Sequence, residues 1–210
     1  MENLIKNNPI IAILRNTPDD ILLDYVKSLY NGGLRAFEIS YTTKNAASQI
    51  RAIKANLPKD ILIGAGTILT LKDTLSAQDA GVDFILSPAT NIEILEFCAN
   101  NHINFLPGVF TPTDVSICLK YGFSTMKLFP ANSLPLNYAK NLQGPFPHTN
   151  YVAVGGISPT NTATYLKNGY CSVGIGSSLV DSHDFEHQHW DTITNNIHSF
   201  IDGLKKEDLL

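Results

Sequence analysis

The sequence predicts an α/β fold, a (β/α)8 TIM barrel, on three observations. Eight apolar runs of strand length recur along the chain, helix start and stop signals stand between them, and glycine-containing turns of a phosphate-cradling kind follow the seventh and eighth runs. The runs centre near Ile11, Ala36, Ile63, Phe84, Asn104, Met126, Val152 and Val173. They lie about twenty to twenty-seven residues apart, which suits a strand, a helix and two short loops. Strands this apolar are covered on both faces, so they pair in parallel, and eight such units close into a barrel. A doubly wound open sheet is the main alternative. Its nucleotide fingerprint belongs after the first strand, where Ile13-Leu14-Arg15-Asn16-Thr17 holds no glycine, and Gly64-Ala65-Gly66-Thr67 carries only the first two glycines of that pattern.

The helices follow in order. Thr17-Pro18 offers a cap and an N1 proline ahead of Ile21, Leu22, Tyr25, Val26 and Leu29 at helical spacing, and Asn31-Gly32-Gly33 ends that helix. Thr70 with Asp73 reads as a capping pair and Gly81 as a stop. Thr111-Pro112 with Gly122 repeats the pattern, and Ser158-Pro159 with Gly169 repeats it again. Phe185, Trp190, Ile193, Ile197, Phe200, Ile201 and Leu204 form one apolar stripe, which predicts a longer C-terminal amphipathic helix over about 183–205.

Composition bounds the function. At 210 residues, 44% hydrophobic and 16% charged, the chain has enough apolar material for one barrel domain over 1–210 and no disordered or fibrous bias. A net charge of −4 without a Lys/Arg run argues against nucleic acid as a partner, although backbone donors can still bind a small phosphorylated anion. The N-terminus lacks a signal-peptide pattern and no apolar stretch is long enough to span a bilayer, so a soluble cytoplasmic protein with no membrane contact is expected. Cys98, Cys118 and Cys171 are odd in number and far apart, and read as buried thiols.

In this fold, chemistry belongs at the carboxyl ends of the strands. Arg15, Glu38, Thr67, Pro88, Pro107, Lys127, Gly155, Gly156, Gly176 and Ser177 all fall there. Lys127 stands out as an ammonium inside an apolar strand. Bringing an amine from its ordinary pKa of about 10.4 to about 7–8, where it is a nucleophile, takes roughly 4 kcal/mol, which an apolar pocket supplies. The competing reading is an ion pair. Strand alternation puts Thr125, Lys127 and Phe129 on one face, and Ala36, Glu38 and Ser40 on one face of the second strand. With both faces inward, Lys127 meets Glu38 across the barrel mouth, an amine beside a proton-carrying carboxylate, as Schiff-base chemistry requires. Val154-Gly155-Gly156-Ile157-Ser158-Pro159 and Gly174-Ile175-Gly176-Ser177-Ser178 are the two phosphate-type turns.

These segments carry a family resemblance. Phe37-Glu38-Ile39, Gly64-Ala65-Gly66-Thr67, Ser87-Pro88, Leu106-Pro107-Gly108-Val109, Lys127-Leu128-Phe129-Pro130-Ala131, Gly144-Pro145-Phe146 and Gly155-Gly156-Ile157-Ser158-Pro159 run through nearly the whole chain. The chain resembles the 2-keto-3-deoxy-6-phosphogluconate aldolase family, which includes 4-hydroxy-2-oxoglutarate and 2-keto-3-deoxy-6-phosphogalactonate aldolases. The resemblance implies a metal-independent class I lyase with no cofactor beyond a covalent Schiff base on Lys127, and Glu38 as the proton-transfer residue. It implies that Thr67 binds the pyruvate carboxylate, that Pro88 and Phe129 line the pocket, and that Gly155, Gly156, Gly176 and Ser177 hold the phosphate of a keto-acid substrate. It also implies a homotrimer.

Two positions depart from the gluconate-type pattern. Its arginine four residues after the glutamate is Thr42 here, and Arg15 in Ala12-Ile13-Leu14-Arg15 is the candidate replacement. Its Thr-Gly-Gly is Val154-Gly155-Gly156, as in the galactonate type, whereas Lys127-Leu128-Phe129-Pro130-Ala131 resembles the gluconate type. His183 and His187, one helical turn apart with Asp184, Glu186 and His189 nearby, form a metal-ligand pattern at the start of a solvated helix, which more often is simply a polar face. A phosphosugar epimerase or isomerase using Lys127 and Glu38 as acid and base, and a non-catalytic phosphosugar-binding protein, are the alternatives to the aldolase.

Overall fold

The computed structural model describes residues 1–210. Nine parallel strands form one sheet: β1 Ile10–Leu14, β2 Ala36–Ser40, β3 Leu62–Gly66, β4 Phe84–Leu86, β5 Phe105–Leu106, β6 Gly108–Val109, β7 Thr125–Leu128, β8 Asn150–Val154 and β9 Ser172–Ile175. Their order, β5-β4-β3-β2-β1-β9-β8-β7-β6, brings the two ends of the sheet to consecutive pieces of chain. The fifth expected strand is divided at Pro107, which has no N–H to give a ladder. Leu106 pairs with β4 on one side of it, and Gly108 and Val109 pair with β7 on the other. The barrel therefore closes through Pro107, whose carbonyl accepts the Lys127 N–H at 2.8 Å.

Helices α2 Leu22–Asn31, α3 Ala46–Asn56, α4 Leu71–Asp79, α5 Ile92–Asn100, α6 Pro112–Lys120, α7 Tyr138–Gln143 and α8 Thr162–Lys167 alternate with the strands, as the spacing predicts. A short helix, α1 Glu2–Asn7, precedes them. Its Ile5 packs with Ile11, Ala36, Phe84, Leu86, Leu106, Val152 and Val154, the apolar filling of the barrel. Burying one such side chain contributes about 1.5–3 kcal/mol as an upper figure.

The capping signals divide into two groups. Thr70 accepts the Asp73 N–H, and Thr111 with Asp114 forms a full capping box with Pro112 at the start of α6. Gly81, Gly122 and Gly169 take positive φ just beyond their helices, where a glycine costs least. Thr17 and Ser158 do not cap. The Thr17 carbonyl and the Asp19 carboxylate are taken by Gln49 of α3 at 2.8 and 2.6 Å, so a turn precedes α2, which starts at Leu22. Ser158 donates its N–H to Asn161 Oδ1 at 2.9 Å and its carbonyl accepts from the Thr162 hydroxyl, and α8 starts after that turn.

The single helix expected over 183–205 is two. α9 Ser182–Glu186 and α10 Trp190–Lys206 meet at an elbow where Gln188 adopts φ 55. Cys98 and Cys118 are buried and Cys171 is half-buried, and burial pushes all three thiols up to about 12, leaving no reactive thiolate at neutral pH. No helix is long and apolar enough to cross a membrane.

Candidate active site

Register fixes which side chains enter the barrel. Neighbours across a parallel ladder point to the same side, and Lys127 is paired with Val152, whose side chain belongs to the interior cluster. Glu38 is paired with Ile13, which packs against the same cluster. Both charged groups thus project inward from opposite parts of the sheet, as alternation predicts, with residue exposures of 4% for Lys127 and 1% for Glu38.

Burial dominates both titrations. It lowers the Lys127 pKa, against the opposing pull of the Glu38 carboxylate and with the help of the Arg15 guanidinium. It raises the Glu38 pKa, against the attraction of Lys127 and Arg15. Removal from water is the larger effect at each, so burial weakens the fully ionised form of the pair. Glu38 Oε2 is buried without a hydrogen-bond partner. A native structure seldom leaves such an atom idle. The Phe129 ring flanks the lysine, its centroid 5.3 Å from Nζ.

The Gly-Ala-Gly run has a packing explanation. A Cβ on Gly66 would fall on the Glu38 carboxylate, and one on Gly64 would fall on the Phe84 ring. Two strand positions are therefore emptied so that a carboxylate and an aromatic ring can lie inside the barrel. Gly108 likewise lets the Pro88 backbone pass close by. Just beyond Gly66, Thr67 holds φ 58, an unusual conformation for a β-branched residue and one that concentrates at functional sites. Its hydroxyl lies 3.1 Å from Ser40 Oγ, which is 3.0 Å from Thr42 Oγ1, making a chain of three hydroxyls at the ends of β2 and β3.

A cavity of about 430 Å³ opens at the same end of the barrel. Arg15, Phe129, Val154, Gly155, Gly156, Gly176 and Ser177 line it, so seven of the expected residues converge. Ile13 also lines it and was not singled out from the sequence, and Ile157, Gly174 and Ser178 line it as members of the two turns to which no individual role was given. Ile13 and Gly174 lie two positions before Arg15 and Gly176 on the same strand faces, which is the signal that could have found them. Thr67 and Pro88 are outside that wall, on the β3 and β4 side, with Glu38 and Lys127 buried.

The glycines of the cavity wall differ in purpose. Gly155 and Gly156 have φ 99 and 72, and a Cβ on Gly156 would strike the Asn132 side chain. A Cβ on Gly176 would meet nothing within 4 Å, so this glycine leaves open space beside exposed backbone, the arrangement an anion needs. Asn161 fastens the Gly155-Gly156 turn by donating from Nδ2 to the Gly156 carbonyl at 2.9 Å.

The sequence matches the family model for KDPG and KHG aldolase over residues 1–196. A 2-dehydro-3-deoxy-phosphogluconate aldolase of Haemophilus influenzae is 34% identical over 202 residues, covering 96% of this chain and 93% of the relative. A solved native KDPGal structure superposes with a TM-score of 0.85 at 27% identity, covering 96% of this chain and 97% of the other. The KDPG aldolase of Legionella pneumophila, solved with pyruvate captured as a covalent carbinolamine, superposes with a TM-score of 0.86 at 26% identity, covering 94% and 96%.

Proposed function

From the premise that the chain belongs to the KDPG and KHG aldolase family, we propose that it is a metal-independent class I aldolase using Lys127 as the Schiff-base lysine. It cleaves a 2-keto-3-deoxy-6-phospho sugar acid to pyruvate and glyceraldehyde 3-phosphate. The observation that carries this reading is the pairing of a buried, pKa-lowered Lys127 with a buried, pKa-raised Glu38 inside the barrel. The covalent pyruvate captured in the Legionella enzyme supports the same chemistry in a relative.

Neutral Lys127 Nζ attacks the C2 ketone, giving a carbinolamine that loses water to an iminium. The iminium is the electron sink. Glu38, left as the carboxylate once its proton has gone to the departing hydroxyl, removes the C4 hydroxyl proton, the C3–C4 bond breaks, and its electron pair forms an enamine on the lysine while the aldehyde departs. Protonation of the enamine at C3 and hydrolysis of the iminium return pyruvate and free Lys127. A carboxyl with a raised pKa suits both directions of proton transfer, a contribution of about 10²–10⁴-fold in rate.

The remaining roles belong to the same reading. Thr67 holds the substrate carboxylate through the hydroxyl chain with Ser40 and Thr42, and Arg15 supplies the cation missing at Thr42. Phe129 and Pro88 exclude water around the iminium. Gly155, Gly156, Gly176 and Ser177 hold the phosphate, and Val154, only 4% exposed, sets the apolar wall near C4. The enzyme acts in the cytoplasm as a homotrimer. Exposed Leu69, Ile92, Phe110 and Leu136 support association.

The test is incubation with pyruvate and borohydride, followed by peptide mass spectrometry and a cleavage assay with the gluconate and galactonate substrates. A reduced adduct on Lys127, absent in Lys127→Met, is expected together with cleavage. No adduct would point to an acid–base epimerase or isomerase, and an adduct without cleavage to a binding protein.

A further inference from the structure

The elbow between α9 and α10 gathers ligand-bearing side chains that the proposed chemistry at Lys127 does not use. Asp181 caps α9, its carboxylate accepting the N–H groups of His183 and Asp184 at 2.9 and 3.3 Å. The left-handed Gln188 then turns the chain back on itself, so that the His189 N–H donates to the Asp184 carbonyl at 2.9 Å and His189 Nδ1 lies 3.0 Å from Asp184 Oδ1. Such a conformation costs a non-glycine residue roughly 1 kcal/mol, and its effect here is to fold one imidazole over a helix that carries two others. One ligand atom each from His183, Asp184 and His189 lie within 4.8 Å of one another. The His187 ring stacks on His183 with centroids 4.2 Å apart, and its Nδ1 is 3.0 Å from the His183 carbonyl oxygen.

The elbow is braced from below. Phe185 and Trp190, on either side of it, both pack on Tyr25 of α2, with ring centroids 4.8 and 6.1 Å away. The aromatic anchors face the core and the histidines face water, so the backbone that presents the ligands is held before any ligand arrives. That is the condition under which a surface cluster becomes a site.

We propose that this elbow binds one borderline transition-metal dication of the Zn²⁺ class through His183, Asp184 and His189, with the fourth position open to water. Two imidazoles and one carboxylate are a nitrogen-rich set that suits Zn²⁺. Mg²⁺ and Ca²⁺ require mostly oxygen ligands, and only one carboxylate is present in the set. Zinc bonds of about 2.0–2.2 Å bring tetrahedral donors to about 3.3 Å from one another, so the three ligand atoms, now within 4.8 Å, close in by about 1.5 Å at most on binding. The bound ion ties α9, a few residues after Ser177 and Ser178 of the cavity wall, to the start of α10. It takes no part in carbon–carbon cleavage.

The experiment uses the untagged full-length chain and zinc chloride, with a chromophoric zinc indicator as competitor. The expected result is one Zn²⁺ per chain, with affinity reduced at least tenfold in the His183→Ala/His189→Ala double variant and less than twofold in His198→Ala, and with no displacement by millimolar Mg²⁺. The double variant is compared only after circular dichroism and metal-free melting match the wild type, and His189→Gln provides a milder change with the same expected direction. Pyruvate trapping on Lys127 is expected to be unchanged by a chelator. Absence of stoichiometric binding up to 100-micromolar zinc, on the order expected for a three-ligand surface site, would overturn the proposal. Equal affinity in the wild type and the double variant would also overturn it, since binding would then reside elsewhere, as at Cys171.

Discussion

Gly66→Ala tests whether the emptied strand position beneath Glu38 matters to catalysis. The added Cβ falls on Glu38 Oε1, Cδ and Cγ. Glu38 is 1% exposed, so the carboxylate has no free space beside it and must leave its rotamer or push β2 and β3 apart. Overpacking of this kind costs about 1–3 kcal/mol. Gly66 has no positive φ, so alanine fits its backbone and recovers about 0.4–1 kcal/mol by restricting the unfolded chain. The net destabilisation is roughly 1–2 kcal/mol, which for a barrel of this size lowers Tm by about 2–8 °C. Catalysis should lose far more. If Glu38 carries the proton from the C4 hydroxyl, its displacement removes most of a general-base contribution of about 10²–10⁴-fold from kcat. Pyruvate trapping on Lys127, which needs the amine but not that proton transfer, should persist within about tenfold, the scale of one displaced interaction. Cleavage kinetics, borohydride trapping and thermal melting on one preparation separate these effects. Gly203→Ala in α10, where a Cβ meets nothing within 4 Å, is the control and should stabilise by about 0.5–1 kcal/mol. A Gly66→Ala enzyme with wild-type Tm and kcat would refute the packing argument, and a lowered Tm with wild-type kcat would refute the role given to Glu38.

Three further outcomes follow from the same site. Glu38→Gln removes the carboxylate that raises the Lys127 pKa, so that pKa falls further and the acid limb of the pyruvate-trapping rate should move to lower pH. Arg15→Ala removes a cation that lowers the Lys127 pKa, so the same limb should move to higher pH, and a shift of both variants in one direction would contradict the electrostatic account. Val154→Thr puts a hydroxyl in the cavity wall where one hydrogen bond to the substrate can form, worth about 1 kcal/mol, and should change the ratio of kcat/KM for gluconate- and galactonate-type substrates by about fivefold. An unchanged ratio would remove Val154 from the specificity argument.

The barrel was legible because periodicity reports burial directly. Seven of the eight apolar runs became one strand each and the fifth became two, and the glycine stops at 81, 122 and 169 became positive-φ residues. What local patterns could not convey was the hold of neighbouring side chains on the backbone around the expected caps. Thr17 and Ser158 have the right chemistry for capping, but Gln49 reaches across from α3 to the first, and Asn161 ties the second into a turn. The division of the fifth strand at Pro107 and the elbow at Gln188 are also set by neighbours, one by the need to serve β4 and β7 from two sides, the other by Tyr25. Lys127 and Glu38 were legible because alternation decides which face a strand residue occupies. The function of Gly66 was not, since its neighbour in space is on another strand and only the register identifies it.

That register also explains why a lysine and a glutamate can share one small interior without cancelling each other. In water the amine and carboxyl titrate near 10.5 and 4.5, and a contact pair would widen that gap by stabilising both charges. Inside the barrel, loss of hydration outweighs the attraction at both residues, so the two pKa values move toward each other instead. A narrower gap means that transferring a proton between the lysine-bound intermediate and the carboxyl costs less in either direction. An aldolase needs this, because the same groups must take a proton during cleavage and return one to the enamine. Adding direct contacts to Glu38 would stabilise its anion and undo the arrangement. In the role proposed for Glu38, the unpartnered Oε2 and the Gly66 position that makes room for the side chain serve one end: they keep the carboxylate buried, within the electrostatic reach of Lys127, and without a contact that would fix its charge.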